Sequence, residues 1–147
     1  MHRRMRDPGF RAVQDEQRYA PHVQAVNELV DRLRDRDGRG WMPHVAPHYG
    51  GIDAQVLLLM RDPGPMTDSQ VGAKGSGFLC VENDDATAER AATLLDEANL
   101  SPSDCISWNA YPWYINRAPT SRQLDDGIPP LVDLLELLPR LKVVIPR

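Results

Sequence analysis

The chain sets short, unbroken apolar runs against longer stretches in which apolar residues recur every third or fourth position. Val56-Leu57-Leu58-Leu59-Met60 is the clearest run, bounded by Asp53 before it and Asp62-Pro63-Gly64-Pro65 after it. Its length and flanks predict a parallel strand buried on both faces. Cys105-Ile106-Ser107-Trp108 predicts a second strand, and Leu141-Lys142-Val143-Val144-Ile145 a third. Between them the period changes. Ala88, Ala91, Ala92, Leu95 and Ala98 share one face of a helix over 86–98, capped by Asp84 or Asp85 and stopped at Asn99. Pro129 and Pro130 open a further helix, with Leu131, Leu134, Leu135 and Leu138 facing inward. An earlier helix is predicted from Pro21 to near Gly38 by Val23, Val26, Leu29, Val30 and Leu33. Residues 1–20 are polar and read as an arm or a loosely packed helix.

Strand, helix, strand, helix, strand predicts an α/β fold of three layers, α/β/α, with a central parallel sheet. Residues 1–39 then form an N-terminal helical arm and residues 40–147 the α/β domain. Ligands of such sheets bind outside the carboxyl ends of the strands, which directs attention to the residues after Met60 and Trp108. The two predicted loops there, from Arg61 to the 86–98 helix and from 109 to 127, are long enough to expect function in them.

Composition narrows the class. With 147 residues, 41% hydrophobic and 26% charged, the chain fits one ordinary globular domain. No apolar run approaches the ~20 residues of a membrane span, and no apolar stretch follows the basic Met1-His2-Arg3-Arg4, so the cytoplasm is the expected compartment and no membrane partner is expected. The two cysteines, Cys80 and Cys105, lie in apolar surroundings and read as buried thiols. Two thiols cannot hold a four-thiolate cluster. His44 and His48 are spaced as a ligand pair, but Pro43 and Pro47 interrupt any helix there, so no metal is expected. The net charge of −4 argues against a simple electrostatic DNA binder, yet residues 1–40 carry nine of the seventeen lysines and arginines against seven acids. Arg32, Arg34, Arg36 and Arg39 fall in this part, as a solvated helix face or a phosphate-binding surface.

The predicted strand ends carry the candidate chemistry. Asp62 sits on a stiff Pro63-Gly64 turn that lets a ligand approach the backbone. Asn109 has an amide that both donates and accepts, as reading a pyrimidine edge requires. Gly75-Ser76-Gly77-Phe78 ends in an aromatic able to stack on a base. On the second long loop, Trp113, Tyr114, Arg117 and Arg122 suit backbone and base contacts. Each feature alone also has an ordinary structural explanation: a turn, a strand terminus, a core aromatic or loop packing. Their order and placement make the combination informative.

At these residues the chain resembles the uracil-DNA glycosylase superfamily. Met60-Arg61-Asp62-Pro63-Gly64 is similar to that superfamily's first motif, Phe78 to its stacking aromatic after a glycine-rich stretch, and Asn109, within Trp108-Asn109-Ala110-Tyr111-Pro112-Trp113, to its base-reading asparagine. Phe78 through Ala88 also looks like a bacterial branch of the superfamily. The resemblance covers residues 40–145. It implies hydrolysis of the N-glycosidic bond of uracil, or of another deaminated base, in DNA that has been turned out of the duplex. Asp62 would be catalytic, positioning water and stabilising the cationic sugar. Arg61, Pro63, Gly64, Phe78 and Asn109 would bind the base, and Gly77, Pro112, Trp113, Arg117 and Arg122 would lie near DNA. No metal or other cofactor is implied. Two departures stand out: Met60 occupies the place of the usual glycine, and the last strand with its His-Pro-Ser-like motif has no counterpart before Arg147.

Two other readings remain open at this point. One is a homologue that binds nucleic acid or a nucleobase without turnover. The other is a phosphate-binding enzyme using Gly72-Ala73-Lys74-Gly75-Ser76-Gly77, whose spacing departs from a P-loop.

Overall fold

The computed structural model describes residues 2–69 and 75–146; residues 70–74, and with them Gly72, Ala73 and Lys74 of the glycine-rich stretch, lie outside them. The protein is mixed α/β with two small parallel sheets. The larger sheet has β2 (Val56–Met60) in the centre, with β4 (Cys105–Asn109) on one side and β5 (Val143–Pro146) on the other. The smaller pairs β1 (His44–Val45) with β3 (Phe78–Leu79). The central position of β2 accounts for its unbroken apolar run, since a strand flanked on both edges and covered on both faces has no polar side to present. Val56, Leu57 and Leu58 are buried accordingly.

The α-helices among the described residues are α1 (Pro8–Glu16), α2 (Gln24–Leu33), α3 (Ala86–Glu97), α4 (Ser121–Asp126) and α5 (Ile128–Glu136). Asp85 caps α3 by accepting from the Ala88 amide at 2.7 Å, and Ala91, Ala92 and Leu95 are its buried face. Pro129 and Pro130 occupy the first turn of α5, where a missing N–H costs nothing. Leu134 and Leu138 are buried, whereas Leu135, expected to face inward, is exposed beside Val132. The apolar stripe of α5 is wider than the face it buries. β5 is likewise exposed along its length, although β4 at the opposite edge of the same sheet is buried throughout.

The predicted arm contributes to the core. Val23, Val26, Leu29, Val30 and Leu33 of the α2 region are buried, and so is Met5. Met5 is held by its amide, which donates to the Glu82 carbonyl at 3.0 Å. Around it Arg3 pairs with Glu89 at 2.8 Å, Arg4 with Glu82 at 3.2 Å and Arg6 with Asp84 at 2.7 Å, so the basic N-terminus is fastened to the segment leading into α3. Four elements differ from expectation. β1 and β3 have two residues each, too few for any period to show, and α4 lies within the predicted 109–127 loop. α2 starts at Gln24 after a turn over 21–23 instead of at Pro21. Among the described residues, no helix is long and apolar enough to cross a membrane.

His44 in β1 organises the space between α2 and the smaller sheet. Its Nε2 lies 2.7 Å from the Asp31 carboxylate, and its Nδ1 is 3.0 Å from the Arg34 guanidinium. Arginine has only donors, so Nδ1 accepts and the ring is neutral, with its proton on Nε2. Burial pushes its pKa down to about 4, against the pull of Asp31 and with the help of Arg34. Above pH ~6.5 the imidazole is neutral whether the chain is folded or unfolded, and it contributes no pH dependence. Between pH ~6.5 and about 4 the unfolded chain takes up a proton that the folded one refuses, so stability falls with pH by about 3 kcal/mol. Urea melts from pH 7.5 to 4.5 should show a midpoint that is flat and then drops below pH ~6.5. In His44→Gln the drop should be shallower; equal slopes in the two proteins would remove His44 as its source.

Candidate functional site

Sheet register determines where the site lies. Met60 and Asn109 are direct partners at the carboxyl ends of β2 and β4. The pairing continues beyond the strands: the Ala110 amide donates to the Met60 carbonyl at 2.7 Å and the Tyr111 amide to the Arg61 carbonyl at 2.9 Å. Asp62 and Asn109 are thereby brought to the same edge, where they line a cavity of about 700 Å³. That volume falls within the range of small-molecule sites. Pro63, Gly64 and Met66 from the loop after β2 form one part of its wall, and Thr87, Ala88 and Ala91 of α3 another.

Alternation along β4 selects which of its side chains reach the cavity. Ser107 and Asn109 line it, whereas Ile106 and Trp108 at the alternate positions do not. The Ser107 hydroxyl lies 2.7 Å from the Tyr49 hydroxyl and donates to it. Burial raises the Tyr49 pKa well above its usual value, so the phenol stays protonated. Asn109 is 3% exposed, and its Nδ2 has no hydrogen-bond partner among the described residues. A buried amide donor left unpaired costs about 1–3 kcal/mol. Here that donor belongs to a residue on the wall of a cavity.

Asp62 stands opposite in charge and setting. Its carboxylate is largely buried and accepts from Arg61 Nε at 2.5 Å, while Arg61 itself is mostly exposed. A guanidinium on its outer side orients the carboxylate at the cavity wall. Behind the wall, Asn83 donates to the Phe78 carbonyl at 2.8 Å and accepts from Ser76 Oγ at 2.6 Å, which holds the segment between them in shape. The Cys80 thiol also lines the cavity, but burial pushes its pKa up to about 12. It is neutral near pH 7 and unsuited to act as a nucleophile.

Of the expected site residues, Arg61, Asp62, Pro63, Gly64 and Asn109 line this one cavity. Phe78 does not. Its ring is 1% exposed, tilted against His44 at 6.4 Å and covered by the Arg18 guanidinium at 5.5 Å. Gly77 lines a second cavity. Pro112 and Trp113 are buried; the Trp113 indole N–H donates to the Leu33 carbonyl at 2.8 Å, and Arg39 stacks over the ring at 5.1 Å. Arg117 and Arg122 are exposed and outside the cavity, Arg117 bonding Gln123 at 3.2 Å. Tyr49, Asn83 and Ser107 went unrecognised in the sequence. Ser107 was recoverable, because it lies two positions before Asn109 on the same face of a strand. Tyr49 and Asn83 have no such local signal. Among the described residues no cluster of three His, Cys, Asp or Glu side chains could hold a metal ion.

Fold and site together define a mixed α/β protein with a partly apolar cavity at the carboxyl ends of its central parallel strands, lined by the Asp62 carboxylate paired with Arg61 and by the Asn109 carboxamide, whose donor is unpaired among the described residues. No known family model and no curated protein matches the chain.

Proposed function

We propose that the protein is a DNA glycosylase of the uracil-DNA glycosylase type, built on a three-layer α/β/α fold, that hydrolyses the N-glycosidic bond of uracil or another deaminated base. The observation that carries this reading is the unpaired, buried Nδ2 of Asn109, on the wall of the cavity that Asp62 also lines. Protein interiors rarely leave such a donor unsatisfied, and a ligand carbonyl would satisfy it. A pyrimidine edge presents carbonyl oxygens and an N–H, and a carboxamide can pair with both kinds of group.

In the proposed reaction the nucleotide leaves the base stack at a cost of a few kcal/mol and its base enters the cavity. Asn109 reads the base edge, and its N–H stabilises negative charge that develops on the departing base. The Asp62 carboxylate lies against the sugar, where it stabilises the positive charge that grows as the bond to the base breaks, and it orients the water that completes hydrolysis. Arg61 holds that carboxylate in place. Pro63, Met66 and Leu79 offer the apolar wall for the faces of the base. Gly64 adds room, because a Cβ built there meets no atom within 4 Å.

Asn109→Leu tests the reading, being close in volume and apolar. Excision from a single-stranded oligonucleotide carrying one uracil, followed by alkaline cleavage of the abasic product, should fall at least about 100-fold. Thermal stability should stay level or rise, because an unsatisfied donor has been removed. Unchanged excision would eliminate Asn109 as the base-reading residue.

A further inference from the structure

We propose that the second cavity, between α1, the end of α2 and the segment Gly75–Gly77, is a binding site for a phosphate group. It has a volume of about 500 Å³ and is lined by Arg11, Arg18 and Arg34, with Trp41 and His44 beside them and Asp15 as its acidic residue. Three guanidinium groups on one cavity of a chain whose net charge is −4 concentrate positive potential where the molecule as a whole has none.

The arginines are also prepared for an anion. Arg34 is aligned by neutral groups: its Nε donates to the Met42 carbonyl at 3.0 Å and its terminal nitrogen to His44 Nδ1 at 3.0 Å, with the guanidinium 5.4 Å over the Trp41 ring. Among the described residues no carboxylate lies within ion-pair distance of it. The chain Tyr19–Asp31–His44–Arg34 fixes that orientation from behind, with 2.6 Å between Tyr19 and Asp31 and 2.7 Å between Asp31 and His44. Arg18 spends one terminal nitrogen on Asp15 at 2.9 Å, and its buried Nε has no partner among the described residues. The planar guanidinium of Arg34, held in position by neutral acceptors and the Trp41 ring, is suited to the paired oxygens of a phosphate. This inference stands on the second cavity alone and does not need the glycosylase reading. The phosphate can belong to a DNA backbone or to a small phosphorylated molecule, whose ring Trp41 could cover.

The test uses the full chain and two probes. Inorganic phosphate, titrated at low ionic strength, should shift the NMR signals of the Arg18 and Arg34 Nε–H groups saturably. Arg18→Gln, a change at a half-exposed side chain, should weaken phosphate binding about ten-fold, and Arg34→Gln as much or more. A single-stranded oligonucleotide without uracil, followed by fluorescence anisotropy, separates the sources. If the backbone is the ligand, each variant loses about ten-fold in oligonucleotide affinity, and the salt dependence falls by about one phosphate contact. If the phosphate signals respond but oligonucleotide affinity is the same in all three proteins, the ligand is a small phosphorylated molecule. Absence of any phosphate-induced shift at Arg18 and Arg34, with oligonucleotide affinity equal in wild type and variants, overturns the proposal.

Discussion

Asp62→Asn should lower uracil excision by about 100- to 1,000-fold while leaving affinity for the uracil-containing strand within about two-fold. The substitution keeps the size of the side chain and its ability to accept from Arg61 Nε at the same edge of the cavity. What it removes is the negative charge. In the ground state the sugar is neutral and the charge does little; as the glycosidic bond breaks the sugar becomes cationic, and the carboxylate stabilises it in a site only partly open to water. An interaction made mainly in the transition state lowers kcat when lost and leaves binding nearly intact. The same pair of measurements separates the enzyme from a protein that only binds. If wild type and Asp62→Asn bind the uracil strand equally and neither releases base, the cavity binds without turnover, and the glycosylase reading is withdrawn. Excision that proceeds undiminished in the variant would place the catalytic group elsewhere.

Gly51→Ala should destabilise the fold by about 3 kcal/mol or more, a large share of the roughly 5–15 kcal/mol by which a domain of this kind is stable. Two costs combine there. Gly51 has φ +55°, a conformation that an L side chain adopts at about 1–2 kcal/mol. A Cβ at that position would also lie 1.8 Å from the His22 carbonyl oxygen, which is backbone and cannot swing aside. That carbonyl accepts from the Ile52 amide at 2.8 Å, so the clash falls on the contact that docks the turn before β2 against the start of α2. Gly64→Ala is the informative comparison. Gly64 has φ −78°, and its Cβ would meet nothing within 4 Å, so stability should change by less than about 0.5 kcal/mol. A fall in excision with unchanged melting in Gly64→Ala would mean that substrate occupies the space beside Gly64. Equal melting of Gly51→Ala and wild type would show that the turn relaxes away from α2.

What could be read in the sequence followed from local physics. The run Val56–Met60 is apolar without interruption because β2 lies between two strands, and such a run has few other homes. The Asp85 cap and the Ala91, Ala92, Leu95 face mark α3, and two prolines mark the start of α5. Asp62 and Asn109 were legible as candidates because each stands where an apolar run stops, and strands in parallel sheets present their carboxyl ends to ligands. The period of two on β4 also carried the position of Ser107, had it been followed one residue pair back from Asn109.

The remainder depended on contacts between distant segments. Phe78 and Trp113 looked like ligand-facing aromatics, and nothing local distinguishes an aromatic that stacks on a base from one that stacks under an arginine. Packing of Arg18 over Phe78, and the bond from Trp113 to the Leu33 carbonyl, settled their surroundings. The polar first twenty residues carried too few apolar positions to announce that Met5 enters the core, since a single buried methionine has no period. The convergence of Arg11, Arg18 and Arg34 on one cavity likewise joins two helices through the fold. By itself the sequence determined the longer strands and helices and the residues at their ends, because hydrogen bonding and burial period act over a few positions. Only the tertiary structure decided which of those residues share a cavity, because strand register and side-chain packing are properties of segments far apart in the chain.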